Sequence, residues 1–183
     1  ENPNHTGDED YNWFLSVVFP AGQLKILPYN RVVRDLAGMD ESEFLEKLSK
    51  VCTVTQSGEK SPPAPNFVDM YLGKKWYTLK FENTSSLGAV EGLDVSLLQD
   101  RVLSPILKIG DPRTDERIDF VGGIRGTGEL EKLVDSGKFA VAFSMYPTTV
   151  AQLMDIADAG EIMPPKSTWF EPKLRSGLFV HTF

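Results

Sequence analysis

Ile118-Asp119-Phe120-Val121-Gly122-Gly123-Ile124-Arg125-Gly126-Thr127-Gly128 joins a short apolar run to a turn holding four glycines. A strand that feeds a glycine-rich turn and then a helix N-terminus gathers free backbone N–H groups around one point, which suits an anion. The residues that follow keep this pattern. Glu129-Leu130-Glu131-Lys132-Leu133-Val134-Asp135-Ser136-Gly137 carries apolar residues at helical spacing and a glycine where a helix needs a left-handed residue after its end. Phe139-Ala140-Val141-Ala142-Phe143-Ser144-Met145 is nearly all apolar, the composition of a strand covered on both faces. Gln152-Leu153-Met154-Asp155-Ile156-Ala157-Asp158-Ala159-Gly160 repeats the first helical pattern, and Thr149 with Gln152 supplies a capping box. The order is therefore β-α-β-α. The fold class expected is α+β (mixed α/β), a mixed β-sheet with helices packed on it.

The upstream part fits the same class. Trp13 to Phe19 and Gln23 to Leu27 flank Pro20-Ala21-Gly22 and are expected to form a hairpin. Tyr29-Asn30-Arg31-Val32-Val33-Arg34-Asp35-Leu36 reads as a strand end whose Arg residues pair with nearby acids; the alternative is that Asn30 and Arg31 face a ligand. Asp40 caps a helix bearing Phe44, Leu45 and Leu48, and a strand over Val51 to Thr55, holding Cys52, follows it. Phe67 to Leu72 and Lys75 to Phe81 form a second hairpin, with Gly73-Lys74 suited to a type II′ turn. Asp94 opens a further helix with Leu97, Leu98 and Val102 along it. Residues 1–12 read as a polar arm and 13–183 as a single domain. His181 is placed in a terminal strand.

Composition narrows the function classes. With 19 Lys and Arg against 26 Asp and Glu, the net charge of -7 repels a nucleic-acid backbone. The longest apolar runs are too short to span a membrane. The single cysteine suits a reduced, cytoplasmic compartment. Two histidines and one cysteine assemble no metal site and no Ser-His-Asp or Cys-His arrangement, and the residues name no cofactor.

The candidates for chemistry are cations and hydroxyls of the last third. The glycine turn lacks the Gly-Lys-Ser/Thr ending of a Walker loop and the third glycine of a dinucleotide fingerprint. As a phosphate cradle it offers Gly122, Gly123 and Gly126, with Arg125 for a bidentate contact and Thr127 as a helix cap. A tight turn with Arg125 paired to a surface carboxylate is the alternative. Met163-Pro164-Pro165-Lys166-Ser167-Thr168-Trp169-Phe170-Glu171-Pro172-Lys173 concentrates Lys166, Ser167, Thr168 and Lys173 on a backbone stiffened by prolines. A basic loop satisfying nearby acids is the other reading. Asn30, Arg31 and Arg113 are secondary candidates.

Six segments carry a resemblance: Tyr29 to Val33, Leu93-Asp94-Val95-Ser96, Asp111-Pro112-Arg113-Thr114, Ile118 to Gly123, Met163 to Thr168, and Pro172-Lys173-Leu174. In this order they resemble the bacterial and archaeal family called domain of unknown function 1015, nearly end to end. The resemblance implies a carboxy-terminal part. Family members carry, upstream, an Asp-Gly-His-His-Arg segment similar to one in ParB-like, sulfiredoxin-like and free-serine-kinase proteins, and no such run occurs here. It further implies phosphoserine or serine chemistry for the intact protein. The function expected is binding of a small phosphorylated metabolite within a phosphotransferase or phosphatase whose His-Arg motif lies before Glu1. The alternative is a non-enzymatic interaction or regulatory module that self-associates, for example as a homodimer.

Overall fold

A computed structural model of the protein describes residues 3–18 and 20–182. The chain divides into two compact units, Ile26–Trp169 and a unit assembled from the segments before and after it. In chain order the elements are β1 (Lys25–Leu27), β2 (Tyr29–Val33), α1 (Glu41–Ser49), β3 (Thr53–Ser57), β4 (Phe67–Leu72), β5 (Lys75–Lys80), α2 (Asp94–Leu98), β6 (Ile118–Gly122), α3 (Thr127–Asp135), β7 (Val141–Met145), α4 (Val150–Asp158) and β8 (Trp169–Glu171). β1 and β8 pair in a small two-stranded sheet. The others make a six-stranded sheet in the order β3-β5-β4-β7-β2-β6.

The expected helix-and-sheet architecture is present. Its sheet, however, is antiparallel at every pairing. β6 and β7 run parallel to each other, as a strand-helix-strand crossover requires, but β2 lies between them and opposes both. Helices cover both faces. On one, Phe44 and Leu48 of α1, Leu97 and Leu98 of α2 and Ile156 of α4 join Val33, Val68, Met70, Leu79 and Phe143 in the main core. On the other, Leu130 of α3 packs on Val32, Tyr71, Trp76, Val121 and Ala142. All five residues of β7 are buried, the consequence of cover on both sides.

Local signals account for most of the boundaries. Asp40 accepts a hydrogen bond from the Glu43 N–H at the head of α1. Thr149 and Gln152 complete the capping box of α4. The residues that follow α3 and α4, Gly137 and Gly160, both take positive φ.

Several expectations are corrected. Trp13 to Val18 forms no strand, so the first hairpin is absent; Phe19 lies outside the described residues. β1 instead pairs with β8. Tyr29–Val33 is no strand end but an inner strand with neighbours on both sides. The β4-β5 turn has φ of +55° at Gly73 and +63° at Lys74, which makes it type I′ rather than II′. Cys52 lies in the turn before β3, where its thiol donates to the Leu48 carbonyl at 3.4 Å. Burial pushes that thiol up to about 11. His181 is in no strand; its Nε2 is 2.8 Å from the Asp10 carbonyl oxygen, within the unit formed by the chain ends. No helix among the described residues is long and apolar enough to cross a membrane.

Candidate functional site

β2 sets the site because its two polar residues, Asn30 and Arg31, are only 2% and 4% exposed. Side chains alternate along a strand, so the pair opens to opposite faces of the sheet. Asn30 shares the face of Val32 and α3, whereas Arg31 shares that of Val33 and the main core. The β2-β7 pairing runs from Val33↔Val141 to Arg31↔Phe143. Beyond it, the Asn30 Oδ1 accepts from the Met145 N–H at 3.0 Å, a side chain standing in for a ladder bond.

On the α3 face, Asn30 lines a hollow of about 320 Å³ together with Gly123, Gly126, Thr127 and Ser144. None of the described residues that line this hollow is charged. Gly123 donates to the Pro28 carbonyl at 2.8 Å, which holds the turn against the head of β2, and Gly126 donates to the Gly123 carbonyl at 3.0 Å within the turn. Gly126 then has φ 71° and ψ 175°, a conformation essentially confined to glycine. It occupies the capping position of α3 without a side chain to offer. Thr127, expected as the cap, is already the first helical residue. With no side-chain cap, the first-turn N–H groups of α3 keep a partial positive charge, which Glu129 in the same turn offsets in part, and the helix start at Gly126 and Thr127 lines the hollow. Asn30 Nδ2 and the Ser144 hydroxyl have no hydrogen-bond partner among the described residues. Ser144 is 3% exposed.

A polar row continues from this point across the same face. Ser144 stands opposite Asp69, and Asp69 opposite Thr78. The Thr78 hydroxyl donates to Asp69 Oδ1 at 2.6 Å and contacts the Ser57 hydroxyl at 2.9 Å. The other Asp69 oxygen is buried with no partner among the described residues. Burial raises the Asp69 carboxyl above the usual range, with the Thr78 bond acting against it and the charge of Glu59 adding to it. Neither Asp69 nor Ser144 was apparent as a candidate from sequence. The available signal was one polar residue in each of two apolar strands, Phe67–Leu72 and Val141–Met145.

On the opposite face, Arg31 lines a cleft of about 610 Å³ whose walls include Ser96, Phe120 and Met163. Its guanidinium donates to the carbonyls of Tyr29 and of Lys166, the latter at 3.1 Å, and lies 5.6 Å from the centre of the Phe120 ring. No carboxylate pairs with it among the described residues. Burial without such a partner lowers its pKa to about 10.

The residues singled out by sequence thus distribute over several places. Gly123 and Gly126 meet Asn30 in the hollow, and Arg31 and Arg113 both line the cleft. Arg113 there is bound to Asp111, at 2.8 Å. Gly122 is packed beneath the Trp169 ring, leaving no room for a ligand. Arg125 is exposed, 3.9 Å from Glu129. Lys166 is exposed too, with its ammonium 5.3 Å from the centre of the Tyr29 ring. Ser167 is buried, donating to the Pro164 carbonyl at 2.6 Å while its own carbonyl accepts from Thr148. Thr168 is half-buried, and Lys173 belongs to the unit formed by the chain ends.

An antiparallel six-stranded sheet with helices on both faces defines an α+β protein. The chain belongs to the family described as protein of unknown function (DUF1015), whose model matches residues 1–96. The segments of the resemblance beyond residue 96 lie outside that match. No curated protein matches the chain. Among solved structures, it is similar to a free serine kinase in complex with AMP, with a TM-score of 0.50 and 16% identity over 82% of this chain and 55% of that one. It is also similar to a conserved hypothetical protein from Pyrococcus furiosus, with a TM-score of 0.49 and 16% identity over 81% and 56% of the two chains. The chain thus spans little more than half the length of these structures. At this identity the first likeness is one of fold.

Proposed function

We propose that this chain is the part of a metabolite-binding protein that seats a phosphoryl group, and that the seat is the hollow at the head of α3. One observation carries the reading. An uncapped helix N-terminus, the Asn30 amide and the Ser144 hydroxyl present donors to one space with no carboxylate among the described residues of its wall. Such donors are fixed before the ligand arrives, so the ordering cost on binding is small. Phosphoryl transfer or phosphate removal would be an activity of the whole protein.

Calorimetric titration with inorganic phosphate, phosphoserine, serine and AMP tests the proposal; AMP is included because a kinase of similar fold was solved with it. Phosphoserine is expected to bind and serine to bind at least tenfold more weakly. Asn30→Asp keeps the oxygen that Met145 needs but places a negative charge in the hollow, and should abolish phosphate binding. Equal affinities for serine and phosphoserine, or a folded Asn30→Asp variant that binds phosphate as tightly as before, would overturn it.

A further inference from the structure

The cleft on the other face of β2 is chemically unlike the hollow. Arg31 contributes a guanidinium whose flat face is covered by Phe120 and whose two hydrogen bonds go to neutral carbonyl oxygens. A buried cation with no counter-charge is costly, and a ligand that supplies the charge recovers much of that cost. The guanidinium fork matches a carboxylate or a phosphate equally well in shape. Charge separates the two. Arg113 is already neutralised by Asp111, and Glu91 and Asp100 also line the cleft, so its two cations face three acids. Glu91 and Asp100 oppose any anion there, a dianion twice as strongly as a monoanion, while Arg31 supplies one direct counter-charge, so of the two the cleft favours the single negative charge. The rest of the wall is largely apolar, with Val95, Leu103, Ile118, Phe120 and Met163. A volume near 610 Å³ falls in the range of small-molecule sites, about 300–1,000 Å³.

We propose that this cleft is a second binding site, specific for a small organic monocarboxylate with an apolar body, its carboxylate held by Arg31 and its body by Phe120, Ile118 and Met163. The proposal is independent of the phosphate reading. It uses different side chains, on the opposite face of the sheet, and selects a different charge.

The test is calorimetric titration of the protein with hexanoate and with phenylacetate, set against hexanamide and inorganic phosphate. Hexanoate or phenylacetate should bind at least tenfold more tightly than hexanamide, and phosphate should not compete with them. Arg31→Met should remove this preference for the carboxylate. Because Arg31 also holds the Tyr29 and Lys166 carbonyls, a second variant separates binding from folding: Ser96→Phe fills the cleft from α2 and leaves Arg31 in place. A folded Ser96→Phe protein, judged by an unchanged unfolding transition, should lose hexanoate binding while its response to phosphate stays unaltered. Equal binding of hexanoate and hexanamide would overturn the proposal, as would displacement of hexanoate by phosphate or undiminished affinity in folded Ser96→Phe.

Discussion

Asn30 and Arg31 are neighbours on one inner strand, both almost sealed from solvent, and their side chains leave the sheet through opposite faces into two separate concavities. Asn30 has a structural duty as well, since its Oδ1 satisfies the Met145 N–H where the β2-β7 ladder ends. Asn30→Leu leaves that buried donor without a partner, and chemical denaturation should show a loss of about 1–3 kcal/mol. Asn30→Asp retains the acceptor but buries a carboxylate, so it should approach the parent only at acid pH, where that group takes up a proton. If Asn30→Leu is as stable as the parent, the Met145 bond contributes nothing measurable.

The glycine turn carries two kinds of constraint, and substitutions separate them. At Gly126 the backbone itself forbids a side chain, so Gly126→Ala should cost roughly 1–3 kcal/mol although nothing lies within 4 Å of the added carbon. At Gly123 the added carbon would fall 2.7 Å from the Pro28 ring and 2.8 Å from the Pro28 carbonyl, and the turn must shift to admit it. Gly128, inside the first turn of α3 with open space around it, is the control. Gly128→Ala should be neutral or stabilising by up to about 1 kcal/mol. Urea unfolding of the three variants gives the order directly.

How far such features can be read without coordinates depends on whether their cause is local. The head of α1 at Asp40, the capping box at Thr149 and the glycines that follow α3 and α4 are set by residues three or four positions apart, and all are legible. The position of β2 is not. Asn30 and Arg31 make Tyr29–Val33 look half-solvated, because the groups that satisfy them, the Met145 N–H and the Lys166 carbonyl, are more than a hundred residues away. Lys74 misleads in the opposite direction. A turn with glycine first suggests type II′, yet the twist of the β4-β5 pair draws the lysine into positive φ as well. The glycine turn is legible, but not that Gly122 packs against Trp169, nor that Asn30 and Ser144 line the same hollow as Gly126.

α3 is fastened to the sheet by two aromatic donors, one at its middle and one at its C-terminal end. The Trp76 indole N–H donates to Glu131 at 2.8 Å and the Tyr71 hydroxyl to Asp135 at 3.0 Å, one turn further along. Each bond has a carboxylate acceptor, so Trp76→Phe and Tyr71→Phe should each cost about 1–2 kcal/mol. Lys60, 2.9 Å from Glu131, keeps that carboxylate partnered in Trp76→Phe, but this change also removes buried ring volume beside Tyr71 and Leu130 and should therefore be the costlier of the two. Thermal unfolding decides this. Equal stability of Tyr71→Phe and the parent would mean that apolar packing alone holds the helix.

Asp94 makes the stability of the fold depend on pH. It is the first residue of α2, nearly buried, and its Oδ1 accepts from the Asn66 N–H at 2.6 Å. Burial raises its carboxyl from 3.8 to about 6, and the Asn66 bond opposes the rise only in part. Between those values the native state holds a proton that the unfolded chain has released. Stability from this group is thus fully present below about pH 4, falls as pH rises, and is lost above about pH 6. At roughly 1.4 kcal/mol per unit the loss is at most about 3 kcal/mol. Asp94→Asn preserves an oxygen for Asn66 and carries no charge to desolvate. Urea midpoints measured from pH 4 to pH 7 should decline less for Asp94→Asn than for the parent, so that the variant is the more stable of the two at neutral pH. Parallel curves for the two proteins over that range would show that Asp94 is ionised in the native state throughout, with the Asn66 N–H and the start of α2 outweighing burial.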